Sequence, residues 1–207
     1  LTQTSDRNFY IRPATPEPFL DLPIDYPDLP GFTTSERFAI AIQGSHHGTP
    51  PGYVNSWFDH SFPTYGQNNN LTTWSGAVIP EPGGCDYGSN CYDGHNGIDF
   101  LHDYSNPEQP IYAADAGKVL AVNFGSAYGS HQVLIDHGNG YATFYAHMAR
   151  ADVSPGDTVT ARQPIGIMGN SPSTGSSNIH LHFGVYYDKD GNHLWEDTEE
   201  SIDPFGW

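Results

Sequence analysis

Over the C-terminal half of the chain, apolar and polar residues alternate in short runs set apart by glycine, asparagine and proline. Such runs predict β-strands, because successive strand side chains point to opposite faces. Residues 111–115 and 118–124 are two of them, divided by Gly117, and residues 131–137 form a third that ends at Gly138-Asn139-Gly140. That triplet is a hairpin signal and leads directly into residues 141–147. There Ala142, Phe144 and Ala146 make one face, and Tyr141, Thr143, Tyr145 and His147 make the other. Runs at 158–160 and 165–168 follow, and a Ser/Gly/Asn loop over 169–178 delivers the chain to a last strand at His180. In that strand Leu181, Phe183 and Val185 point inward, while His180, His182 and Tyr186 face a groove. The polar faces of 141–147 and 180–186 are expected to line that groove together.

The N-terminal part follows another pattern. Six prolines between residues 13 and 31 (Pro13, Pro16, Pro18, Pro23, Pro27, Pro30) exclude regular helix and predict extended chain lying on a surface. Residues 37–43 fit a strand, and a His46-His47 pair lies between glycine and proline. The stretch Ser56-Trp57-Phe58-Asp59-His60-Ser61-Phe62-Pro63 reads as an aromatic anchor that pins this extension to the rest, in preference to a groove wall or an extra ligand from His60. Asn68-Asn69-Asn70 and the Gly/Pro cluster at 80–84 mark a loop. The expected division is an N-terminal extension over 1–84 that packs on a domain over 85–207.

Composition agrees with a β-rich chain: 207 residues carry 17 prolines and 23 glycines. Seven basic residues against 24 acidic ones leave a net charge of −17, and no basic patch exists to neutralise phosphates. Nucleic-acid binding is therefore not expected. The longest purely apolar run, residues 38–42, is far too short to span a bilayer, so no membrane insertion is expected. No signal-peptide pattern opens the chain, and a start at Leu1 without Met fits a processed mature form. Cys85 and Cys91 are separated by five residues, which does not match the usual spacing of cysteine zinc knuckles. A disulfide closing this short loop is expected, with an oxidising, extracytoplasmic setting and about 2 kcal/mol of stabilisation at most.

The chemistry concentrates in two clusters. His180 and His182 share a strand face with Cα atoms about 7 Å apart, although such a pair by itself is commonly only solvated. The upstream cluster Gly94-His95-Asn96-Gly97-Ile98-Asp99-Phe100 changes that reading. Its glycines and asparagine argue against a helix, and a fully extended strand would hold His95 and Asp99 about 13 Å apart. A bend at Gly94 or Gly97 can fold the first over the second. Two nitrogen ligands and one carboxylate, with a fourth position open to water, are the pattern of a catalytic zinc site. Strand geometry leaves open which of His180 and His182 is the ligand.

In order along the chain, His95-x-x-x-Asp99, Tyr145-Ala-His147-Met148 and His180-Leu-His182-Phe183 resemble the lysostaphin-type family of zinc metallopeptidases. Supporting matches are Pro110-Ile-Tyr-Ala-Ala-Asp-Ala-Gly117, Gly156-Asp-Thr-Val159, and Gly166-Ile-Met-Gly169 before Ser173-Thr-Gly175, so the likeness covers about residues 93–187. It implies a mainly β, compact antiparallel fold with a groove and one zinc ion per chain. It also implies a secreted or envelope-associated endopeptidase that cuts the peptides of bacterial peptidoglycan, in the stem or the cross-bridge. Carried over by residue, it makes His95, Asp99 and His182 the zinc ligands, and His147 and His180 catalytic histidines that do not bind metal. A monomer is expected. Two departures stand out: Gly184 where an acidic residue is common, and a cysteine loop not general to the family. His131 and His137 receive no role. Two other readings stay open, an inactive wall-binding or activator domain of the same fold, and a zinc carboxypeptidase with a similar HxH.

Overall fold

Short alternating runs punctuated by turn residues give strands and little else. In the computed structural model the described residues are 20–25, 54–56, 58–60, 70–72, 78–80, 94–102, 106–125, 128–170, 179–192, 195 and 201–204. The strands are β1 (Val54–Ser56), β2 (Asn70–Thr72), β3 (Val78–Pro80), β4 (Ile98–Leu101), β5 (Pro110–Tyr112), β6 (Gly117–Val122) and β7 (Val133–Gly138). They continue as β8 (Tyr141–Ala146), β9 (Met148–Ala151), β10 (Thr158–Val159), β11 (Pro164–Met168), β12 (His180–Tyr187) and β13 (Ser201–Ile202), with no helix among the described residues. An antiparallel sheet runs β1-β4-β12-β8-β7-β6-β10, with β13 beside β4 on the same edge of β12. A three-stranded sheet, β5-β11-β9, and a β2-β3 hairpin complete the described strands. The mainly β, antiparallel architecture expected from the sequence is thus present.

The β7-β8 hairpin turns through Asn139 and Gly140, both at positive φ (52° and 79°). Two left-handed residues in a two-residue loop are the primed turn that matches strand twist. On β12, Leu181, Phe183 and Val185 are buried in the main core with Ile98, Phe100, Val133, Ile135 and Tyr145. A smaller cluster on the other face of the sheet holds Leu134, Ala142, Phe144, Ala146 and Tyr186.

This corrects one expectation. The register sets Tyr145 opposite Phe183 and Thr143 opposite Val185, so both point into the core and away from the groove. Their hydroxyls are satisfied inside. The Ala114 N–H donates to the Tyr145 oxygen (2.8 Å), which lies 2.9 Å from Thr143 Oγ1, itself 2.6 Å from His137 Nε2. A buried tyrosine with its polar tip paired packs like any large apolar side chain. The groove face of β8 is Ala142, Phe144 and Ala146.

The described part of the N-terminal region packs on this framework. Leu22 and Ile24 are buried in the main core. The Asp21 N–H donates to Ala114 O (2.7 Å) and the Tyr112 N–H to Pro23 O (2.8 Å). The Arg162 guanidinium, stacked 4.2 Å above the Tyr112 ring, donates to the carbonyls of Leu22 and Ile24. Phe58 is also in the core, which favours the anchor over a groove wall. Most of the proline-rich run, residues 37–43, the His46-His47 pair and both cysteines lie outside the described residues.

Candidate active site

β4 and the loop that leads into it supply the first two groups. The chain turns at Gly94 (φ 76°) and bends at Gly97 before β4 begins at Ile98. The bend folds His95 back until its Nε2 lies 3.1 Å from Asp99 Oδ1. Register then pairs Asp99 with His182 across β4 and β12, and His182 with Ala146 across β12 and β8. All three point to the same side of the sheet, with the small Ala146 beside His182 in that row. Gly97 completes the cradle. A Cβ there would stand 2.6 Å from Phe183 O and 2.8 Å from the His182 ring, so only glycine admits this approach.

His95 Nε2, Asp99 Oδ1 and His182 Nδ1 form a triangle with every side 3.1 Å. All three residues are buried, and they are a group able to hold a metal ion. Protons cannot satisfy all three sides. Each imidazole nitrogen is either an N–H or a lone pair. If both aim N–H groups at Asp99, those two groups face each other. If either lacks its hydrogen, two lone pairs meet. One cation taking three lone pairs removes the conflict. Tetrahedral zinc with ligands at about 2.0–2.1 Å sets its ligand atoms about 3.3–3.4 Å apart, close to the sides observed. The other ring nitrogen of His182, Nε2, is buried with no hydrogen-bond partner. That leaves Nδ1 as the atom through which His182 can work.

The electrostatics suit the same role. Burial raises the Asp99 carboxyl, but the charges and hydrogen bonds of His95 and His182 outweigh it and hold it below the usual carboxylate range. Burial pushes His182 down to about 4 against the opposing pull of Asp99, so its ring is neutral at pH 7. An ionised carboxylate and a neutral imidazole are the forms in which these groups bind metal.

His147 and His180 stand at the edge of the triangle. Their ring centroids are 4.6 Å apart, and that of His147 is 6.1 Å from His182. His180 is partly exposed, and its Nε2 lies 3.9 Å from Asp99 Oδ2. Strict alternation puts His147 on the core face with Tyr145. Its backbone instead takes a positive φ of 59° between β8 and β9, which swings the ring over to the groove side. A non-glycine residue in this region is strained, and such strain gathers at functional sites. The structure therefore brings all five expected side chains into one place.

It also brings residues that the sequence reading did not single out. The Tyr128 ring lies over His182 with centroids 4.8 Å apart, and its hydroxyl donates to Asn96 Oδ1 (2.9 Å). Tyr128 also packs edge-on against Phe144 at 5.3 Å. Asp59 is fully buried against the backbone of Gly94 and His95. The glycine at 129 and the aspartate between two aromatic-ring residues were the only local signals, and neither specifies a site. Among the other described histidines, His60 pairs with Asp203 (2.8 Å), His131 with Asn123 (3.3 Å) and His137 with Ala116 O and Thr143.

This fold and site define a metallopeptidase class, and the profile of peptidase family M23 matches residues 93–197. The chain belongs to that family. It is 38% identical over 129 residues to the uncharacterized lipoprotein YgeR of Escherichia coli K12, covering 61% of this chain and 46% of YgeR. It is 34% identical over 89 residues to the peptidoglycan DD-endopeptidase ShyA of Vibrio cholerae, covering 43% of this chain and 19% of ShyA. In both, the matched part is less than half of the relative's length. Among solved structures, the catalytic domain of lysostaphin from Staphylococcus simulans aligns over 61% of this chain and 84% of its own, with 26% identity and a TM-score of 0.45.

Proposed function

We propose that this chain is a zinc endopeptidase that hydrolyses peptide bonds of bacterial peptidoglycan outside the cytoplasm. The observation that carries the reading is the buried triangle of His95 Nε2, Asp99 Oδ1 and His182 Nδ1, with the His147–His180 pair beside it. These three residues are the proposed ligands of one zinc ion, a set of three that leaves the fourth position of a tetrahedral site to water or substrate. A zinc ion held there supplies Lewis acidity that lowers the pKa of a water to about 7 and polarises a peptide carbonyl. His147 and His180 lie close enough together to take up the proton of the attacking water and return one to the leaving amine. Tyr128 holds the His182 ring from above, and Asn96 holds Tyr128. The peptidoglycan substrate is supported by family M23 membership and by the name of ShyA as a peptidoglycan endopeptidase. The envelope setting is supported by the lipoprotein relative. We take residues 85–207 as the peptidase domain and residues 1–84 as an extension, whose packing on that domain is supported by Leu22, Ile24 and Phe58 in the main core.

The test is digestion of purified peptidoglycan of several cross-bridge types, with mass spectrometry of the fragments. Internal peptide cleavage that stops with a chelator and returns with zinc is the expected result. Cleavage only at chain ends would make the protein a carboxypeptidase, and wall binding without any cleavage would overturn the enzymatic reading.

A further inference from the structure

The metal-ligand loop is held from outside the family-matched region. β1 pairs with β4 (Ser56 with Asp99) and thereby carries residues 58–60 to the side of His95. Asp59 grips that loop twice. The Gly94 N–H donates to its Oδ2 (2.8 Å), and its own N–H donates to His95 O (2.9 Å). Its neighbours fix it in place: Phe58 is buried in the main core, and His60 Nε2 lies 2.8 Å from Asp203 Oδ2. Gly94 is the left-handed residue that starts the turn placing His95, so its amide is where a small movement would be felt most. A carboxylate accepting a backbone N–H makes a stronger hydrogen bond than a neutral acceptor, and a buried one has no water to exchange with.

We infer that Asp59 is a positioning residue for the metal centre: by holding Gly94 and His95 it sets the position of His95 Nε2 relative to Asp99 and His182. The extension then contributes to the site itself and is more than a cover for the core. This inference rests on the zinc reading proposed above. Outer partners of this kind typically govern metal affinity by about 10–100-fold.

The experiment uses the full chain, stripped of metal and titrated with Co²⁺ and with Zn²⁺ against a chelator, with thermal unfolding of the metal-free form followed on the same samples. Asp59→Ala should bind both ions about 10–100-fold more weakly and show an altered Co²⁺ absorption spectrum. Asp59→Asn keeps a carbonyl oxygen facing the Gly94 N–H without the charge, and should bind both ions more tightly than Asp59→Ala and more weakly than the wild type. A residue with only a structural part would lower the unfolding temperature and leave affinity and spectrum unchanged, and that result overturns the inference. An Asp59→Asn variant as weak as Asp59→Ala overturns it too. If Asp59→Ala does not fold, Asp59→Glu decides: it moves the oxygen by one methylene and should also weaken binding, so wild-type affinity there refutes the role. A wild-type chain that takes up neither ion rejects the zinc reading itself, an outcome distinct from a wild type that binds and an Asp59→Ala variant that binds equally well.

Discussion

Adding one methyl group at Gly97 should disable the metal centre while leaving every proposed ligand in the chain. The Cβ of a Gly97→Ala variant would stand 2.6 Å from Phe183 O and 2.8 Å from His182 Cε1 and Nε2, where ordinary contact begins at 3.4 Å. Relief needs a shift of about 0.6–0.8 Å, read from those distances. Phe183 O belongs to the backbone of β12, paired on both sides, so the strain falls on the bend at residue 97 that places His95 and on the His182 ring. Metal-ligand distances are held to about ±0.2 Å, so a displacement three or four times larger should weaken zinc by at least the 10–100-fold seen for outer partners. Overpacking should also cost the metal-free fold about 1–3 kcal/mol. Gly184→Ala is the control, because its Cβ would meet nothing closer than 3.6 Å on the same strand. Zinc affinity from chelator competition and thermal unfolding of the metal-free chain should separate the two variants. Equal affinity for Gly97→Ala and the wild type would refute the view that the His182 ring is seated by this glycine.

Four further outcomes can be measured. Replacing His95, Asp99 or His182 with alanine should lower zinc content and activity together. Replacing His147 or His180 should leave zinc bound in excess metal while hydrolysis falls by about 10²–10⁴-fold, so full activity in His147→Ala would remove it from the mechanism. In the metal-free chain, His182 titrates near 4 when folded against an ordinary 6.5, so the unfolded state binds more protons between those values. Stability should therefore fall as pH drops from about 6.5 to 4, by about 3 kcal/mol at about 1.4 kcal/mol per pH unit, and His182→Ala should flatten that part of a denaturant-midpoint profile. Cys85 and Cys91 should show two reactive thiols by intact mass only after reduction, and thiols free without reductant would remove the disulfide.

The strand pattern was legible where the two faces of a strand differ in kind. On β12 the interior positions are Leu181, Phe183 and Val185 and the others include two histidines, so one face had to be buried. On β8 both faces are apolar enough to be inside: Ala142, Phe144 and Ala146 against Tyr141, Thr143 and Tyr145. The choice turns on whether the hydroxyls of Thr143 and Tyr145 find partners. These come from Ala114 and His137, on segments that alternation within β8 cannot see. β9, with Met148-Ala149-Arg150-Ala151, carries too little alternation to stand out, and it forms because β11 offers it an edge.

Within the site, the glycine bend that brings His95 to Asp99 was legible because sequence separation alone rules out an extended link. The choice between His180 and His182 was not, since both occupy one face. In the structure the two differ in their neighbours. His182 lies opposite Asp99 and Ala146 in the middle of the sheet, whereas His180 pairs with Leu101 and Gly169 where the groove opens. His147 is the harder case. Alternation assigns it to the face of Tyr145, and the expectation that placed Tyr145 in the groove carried His147 there with it. In the structure the two residues part company: Tyr145 is sealed in the core, and the left-handed backbone at 147 sends the next odd-numbered side chain to the opposite side. The left-handed backbone at His147 is thus the means by which one strand closes the core and still turns an imidazole toward His180 and His182. Glycine at this position would relieve the backbone but remove the imidazole, so a His147→Gly variant should match or exceed His147→Ala in stability while both lose hydrolysis. A His147→Gly variant clearly less stable than His147→Ala would show that the backbone there is not strained.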